Sequence, residues 1–134
     1  DDSVRVGNIL ETNVGDRFTI SDKLWQGHQS RKKIHENKGN GFGFCLFNED
    51  SKYTSTISAR YYKDGSEALI EQHGKNPRML TPRECARLQG FTDDFIIPVS
   101  NARAYKQFGN SVCIPVIEAV AKAMLEYLGK YNIL

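Results

Sequence analysis

The chain has 134 residues, of which 40% are apolar, 25% charged and 10% aromatic, with a formal net charge of +2. This size and mixture specify one globular domain, or a piece of a larger one, and exclude fibrous and disordered classes. The longest apolar stretches run to only a few residues, which excludes a membrane span of about 18 or more.

The opening Asp1-Asp2-Ser3-Val4 has neither the basic nor the apolar region of a secretory signal and no initiator Met, so a piece cut from something longer is expected. Residues 1–16 carry one positive and four negative charges, whereas residues 17–39 carry six positive and two negative. A basic cluster of this kind points to an anionic partner on one face, or to a solvated helix face. Cys45, Cys85 and Cys113 form no CxxC pair, and His28, His35 and His73 form no ligand cluster with them. Neither a disulfide framework nor a metal site is expected, and a reduced, cytoplasmic setting is the default.

Residues 1–20 read as a connecting segment. A helix is expected from Ser21 and Asp22, either able to cap it, with Leu24, Trp25, His28, Lys32 and His35 on one face. It should end at Lys38-Gly39. Gly39-Asn40-Gly41-Phe42-Gly43-Phe44 follows; its spacing and surroundings do not match a nucleotide-binding fingerprint.

Residues 53–62 are dense in β-branched and aromatic side chains, and Ala68-Leu69-Ile70 follows Lys63-Asp64-Gly65. This predicts a hairpin around Asp64-Gly65. Its first strand would set Thr54, Thr56, Ser58 and Arg60 on one face, suited to phosphates and base edges or simply exposed to solvent.

In Leu80-Thr81-Pro82-Arg83-Glu84-Cys85-Ala86-Arg87-Leu88-Gln89-Gly90, both helix ends are specified. Thr81 and Glu84 make a capping box, Pro82 takes the first helical position and Gly90 stops the helix. Arg83 and Arg87 share a face and either clamp groups within the fold, the expected role, or meet phosphate outside it. A last helix is expected from near Pro115 to Leu128, where Val116, Ile117, Val120, Ala121, Met124, Leu125 and Leu128 form an apolar stripe. Few preceding elements are comparably apolar, so the stripe calls for a partner surface that this chain lacks.

Three of these blocks together resemble one family. L-T-P-R-E-C-A-R-L-Q-G-F, residues 80–91, resembles the ninth shared motif of the DNA cytosine-5 methyltransferases, and A-Y-K-Q-F-G-N-S-V, residues 104–112, resembles the tenth. T-S-T-I-S-A-R-Y-Y-K-D-G, residues 54–65, resembles the end of the target-recognition region. D-K-L-W-Q-G-H-Q and K-G-N-G-F-G-F, within residues 18–47, resemble the recognition region of bacterial members, including restriction-modification enzymes.

The resemblance implies an enzyme that swings a cytosine out of duplex DNA, adds a cysteine thiolate to C6 and methylates C5 from S-adenosylmethionine. The family's Pro-Cys loop, Glu-Asn-Val motif and Phe-x-Gly-x-Gly motif are not in this sequence. Cys85 and Cys113 read as small core residues, so this segment alone is expected to be inactive. It would act with an N-terminal catalytic portion or subunit, on double-stranded DNA and not on a membrane, in the cytoplasm at the nucleoid.

By the same resemblance Asn110, Ser111 and Val112 would line one edge of the S-adenosylmethionine pocket, where the plain alternative for Ser111 is a helix cap. Thr56, Ser58, Arg60 and Lys63 would meet DNA near the flipped nucleotide, with Arg60 a candidate reader of guanine. Lys32, Lys33 and Lys38 would contact the DNA backbone. Thr81, Arg83, Glu84, Arg87 and Gly90 would be scaffold. The implied fold is α+β. Residues 1–79 would form the recognition region, 80–103 the motif-nine helix and loop, and 104–134 motif ten with a C-terminal helix packed on an absent Rossmann-like domain. The rival reading is a stand-alone DNA-binding module without catalysis.

Overall fold

The computed structural model describes residues 3–39, 41 and 43–131; Asn40 and Phe42 of the glycine-aromatic stretch and the last three positions lie outside the described residues. The fold is α+β. Helix α1 spans Asp22–Asn37, strand β1 Leu46–Phe47, β2 Leu69–Ile70 and β3 Arg78–Met79. Helices α2 (Pro82–Leu88), α3 (Asn101–Asn110) and α4 (Ile114–Lys130) complete the chain.

Helix α1 begins as its sequence dictates: the Ser21 side chain accepts the Leu24 N–H, satisfying one of the first-turn amides that no helical carbonyl can reach. Its inner face buries His28 and sets Trp25 edge-on against Phe44, 4.7 Å between ring centroids. The expected apolar-aromatic face is therefore present, and it packs on the end of the glycine-aromatic stretch.

The expected hairpin over residues 53–70 does not form. Residues 53–57 adopt no regular strand, and residues 58–65 wind through successive turns, with Tyr61 N–H donating to Ser58 O, Lys63 N–H to Arg60 O and Gly65 N–H to Tyr61 O. The reason lies in Ile57 and Tyr61, both buried. A chain that winds between them satisfies its backbone locally, and the β-branched run no longer needs a strand partner. Strand β2 pairs instead in parallel with β1, Leu46 opposite Leu69, and antiparallel with β3, Leu69 opposite Met79. The hairpin thus lies between β2 and β3, around Gly74 at φ +72.

Two tyrosines join this sheet to the helices. Tyr61 Oη accepts the Leu80 N–H at 2.8 Å and donates to Ala68 O at 2.6 Å. Tyr105 Oη, from α3, donates to Leu80 O at 2.6 Å. The rings meet edge to face at 5.4 Å, so both polar groups of the buried Leu80 peptide are satisfied by side chains from two different regions. Burial pushes both phenols well above their ordinary range, which keeps them as neutral donors.

Helix α2 carries the expected capping box, Thr81 Oγ1 accepting Glu84 N–H and Glu84 accepting Thr81 N–H. Gly90 follows at φ +87, and a Cβ there would lie 2.5 Å from Pro115 Cδ. Two demands therefore converge on this glycine: a left-handed backbone and close contact with the start of α4. The last helix is longer than its apolar stripe predicted, and that stripe is bare. Val116, Ile117, Val120, Met124 and Leu125 are each about half exposed or more.

Candidate functional site

The expected cofactor edge sits where α3 ends and α4 begins. Gln89, buried after α2, holds the two helices together: its Nε2 donates to Phe108 O at 2.9 Å, and its own carbonyl accepts the Ile114 N–H at 2.9 Å. Between these anchors Asn110 closes α3, and Ser111 takes an extended conformation. Ser111 Oγ donates to Val112 O at 3.0 Å. The N-terminal capping position of α4 falls on Cys113, with no side-chain cap bond, so Ser111 does not cap that helix; it is instead the C-cap residue of α3, its N–H donating to Phe108 O.

Val112 is 58% exposed. Among the described residues neither its N–H nor that of Cys113 donates to a protein acceptor. A turn that offers free amides at a helix start beside an open apolar side chain fits a ligand with both polar and apolar parts.

Of the expected recognition residues, Ser58 lies against the residue that precedes Asn110. Gly109, one residue before Asn110, abuts the backbone of Ser58 and Ala59. Thr56, Ser58 and Arg60 are exposed, while Thr54 is half-buried, so the four do not share one strand face. Ser58 Oγ donates to Glu67 and accepts the Arg60 N–H at 3.2 Å, which commits the Ser58 hydroxyl to its own loop. Lys106 of α3 stands over the Tyr62 ring at 4.6 Å, placing a further cation beside residues 58–63.

The basic residues of α1 reach the same loop by a different route. His28 Nε2 lies 3.2 Å from Asp64 O, and Arg31 Nη2 lies 3.0 Å from His28 Nδ1 and 3.5 Å from Asp64 Oδ2. Burial pushes the Asp64 carboxyl up, but hydrogen bonds from Ser66 and the charges of His28 and Arg31 leave it below its ordinary value. Lys32 packs over Phe44 at 4.6 Å and is half-buried, whereas Lys33, Lys38, Arg60 and Lys63 are exposed. Among the described residues these four make no ion pair, so their charge faces solvent.

The scaffold residues act as clamps. Arg83 donates to Thr92 O and Phe95 O. Arg87 forms a two-pronged pair with Asp93 at 2.7 and 2.8 Å and reaches Ile9 O. Glu84 is fully buried and takes both prongs of Arg78 at 2.8 Å. Cys85 is fully buried; burial and the Glu84 charge push its thiol well above the ordinary range, so it stays protonated in the core.

Sequence reasoning missed Arg78, Gln89 and Gly109. Arg78 gave no local signal because its partner is found only through the fold. Gln89 and Gly109 were inside the quoted motifs without a role. A glycine within a helix was the one available signal for a close approach.

Known proteins share this architecture. Residues 1–126 match the family model described as C-5 cytosine-specific DNA methylase. The chain is 65% identical over 129 residues to the type II methyltransferase M1.ScrFI of Lactococcus lactis subsp. cremoris, covering 96% of this chain and 33% of that protein. It is 61% identical over 126 residues to M.DsaV of Dactylococcopsis salina, covering 94% and 36%.

Among solved structures, the Dnmt2 methyltransferase of S. pombe superposes with a TM-score of 0.75 at 18% identity, over 96% of this chain and 44% of that one. The Entamoeba histolytica methyltransferase EhMeth gives 0.74 at 23%, over 96% and 42%; these two likenesses bear on the fold alone. The chain spans about a third of the length of the sequence relatives it matches. With the family model matched over nearly its whole length, this chain belongs to the C-5 cytosine-specific DNA methylases.

Proposed function

We propose that this chain is the target-recognising C-terminal part of a bacterial DNA cytosine-5 methyltransferase. It holds duplex DNA through residues 56–63 and Lys32, Lys33 and Lys38, and supplies one edge of the S-adenosylmethionine site at Asn110, Ser111 and Val112. The observation that carries the reading is the contact between Gly109 and Ser58, which sets an exposed basic loop beside a turn with free amides. S-adenosylmethionine supplies the methyl group.

In this reading Arg60 reads a base edge, Thr56 and Lys63 meet phosphate or sugar, and Ser58 shapes the loop that carries them. Lys33 and Lys38 add salt-dependent affinity without sequence information. The turn at 110–112 binds and orients the cofactor from one side. The cysteine loop and the remaining cofactor contacts come from the N-terminal catalytic portion, and the bare stripe of α4 is the surface on which that portion docks. Apolar surface of this extent on one helix is stabilised only by a partner that removes it from water.

The test is bisulfite sequencing of host DNA after expressing the chain alone and together with a catalytic portion. Protection of cytosines in one short shared context, only when both are present, is the expected result. Absence of protection with both present, and DNA binding retained, makes the chain a stand-alone binding module instead.

A further inference from the structure

We propose that Gly109 is a positioning residue. It sets the spacing between recognition residues 56–60 and the cofactor-edge turn at 110–112, so that a base held by the first lies in register with a methyl donor held by the second. The inference rests on the function proposed above and adds to it a specific device.

An ideal Cβ on Gly109 would lie 2.2 Å from Ser58 O, 2.3 Å from Ser58 C and 2.5 Å from Ala59 N. All three are backbone atoms, so no change of rotamer relieves the clash. Glycine within a helix is destabilising relative to alanine, a cost that close backbone approach accounts for here. Gly129 of α4, with nothing within 4 Å of its Cβ direction, meets no such demand.

The recognition loop has no slack on its other side. Ser58 Oγ is bound to Glu67, and Tyr61 is wedged in the core against Tyr105 of α3. The cofactor edge is equally tied, since Phe108 O accepts from both Gln89 Nε2 and the Ser111 N–H. A methyl on Gly109 therefore moves one rigid piece against another by an ångström or so, and a misplacement of about 1 Å can slow a reaction about a hundredfold. The new methyl points at the Ser58–Ala59 backbone, so each piece is expected to bind its own ligand as before.

The experiment uses the complete methyltransferase, this chain with its catalytic portion, carrying Gly109→Ala, with Gly129→Ala as a helix control. Single-turnover transfer from labelled S-adenosylmethionine to duplex DNA is measured beside the Kd of each ligand and the melting temperature. Transfer slowed about tenfold or more, with both Kd values within about threefold and Gly129→Ala unaffected, is the expected result.

Unchanged transfer overturns the inference. So does loss of both affinities in step with the melting temperature, which marks a residue of packing alone. If Gly109→Ala does not yield folded protein, Ala59→Gly is added to let the loop backbone give way. Slow transfer in that folded double variant supports the role, and wild-type transfer or a second failure to fold overturns it. An unsubstituted enzyme that transfers no methyl to cytosine removes the methyltransferase reading itself, and this inference with it.

Discussion

Arg78 and Glu84 form a two-pronged ion pair inside the protein, both bonds 2.8 Å long, with the Glu84 side chain fully buried and that of Arg78 nearly so. The same carboxylate accepts the N–H groups of Thr81 and Glu11. One side chain thus joins strand β3, the start of α2 and the N-terminal segment. Glu84→Ala leaves a guanidinium buried without its partner, and a loss of about 3–5 kcal/mol is expected. Arg78→Met combined with Glu84→Ala should regain only part of this, because the buried Thr81 amide and the partly buried Glu11 amide still lack their acceptor. Urea unfolding of the single and double variants measures the difference; full recovery would show that the carboxylate serves Arg78 alone.

Acid should loosen the loop after α2. The hydrogen bond from Arg87 holds the Asp93 carboxyl below its ordinary value of 3.8; desolvation opposes it, and the charges of Arg87 and Arg83 add to the lowering. A carboxylate whose pKa is lower folded than unfolded contributes stability that is present above the unfolded value and lost as pH falls through the folded one. The loss is therefore expected below about pH 3.8, and Asp93→Asn should flatten that part of the melting-temperature profile. A variant as acid-sensitive as the parent would remove Asp93 from the account.

Asn110→Ala in the complete enzyme should weaken S-adenosylmethionine binding by about tenfold, near 1.4 kcal/mol, and leave the Kd for DNA unchanged. Calorimetric titration of each ligand makes the comparison. Unchanged cofactor affinity would detach the 110–112 turn from the proposed pocket.

Arg60→Ala is expected to relax sequence choice, with the cost concentrated at one base pair at about 1–3 kcal/mol. Lys33→Ala should instead weaken all DNA sequences alike and reduce the salt dependence of binding by about one unit of slope. Competition binding with single-base-pair variants of the site separates the two patterns. A uniform loss for Arg60→Ala would make it a phosphate contact.

Val120→Asp puts a charge on the bare face of α4, where Val120 is 50% exposed. The chain's own fold should tolerate it, because α4 buries no residue of its own among those described. Association with the catalytic portion should fall sharply, since an unpaired carboxylate in an apolar interface is costly to desolvate. Co-purification of the two portions reads this directly.

Local chemistry is what the sequence by itself determined. Ser21, Thr81, Glu84, Pro82 and Gly90 mark helix ends because capping depends on groups within a few residues, and α1 and α2 lie where those residues place them. The stripe of α4 was legible from its helical spacing, and the structure leaves it exposed. Motif order carried the family and the expected site residues.

Only the tertiary structure decided the rest. The β-branched run before Tyr61 reads as a strand, yet burial of Ile57 and Tyr61 winds it into turns and hands its pairing role to β1 and β3. Arg78 finds Glu84, and Tyr61 and Tyr105 find the Leu80 peptide, through contacts that no local pattern encodes. Gly109 meets Ser58 across about fifty residues of chain. Local preferences are settled by a few neighbouring atoms, whereas close packing of distant segments depends on the shape of the whole core, and in this protein that packing sets Gly109 of α3 against the Ser58–Ala59 backbone.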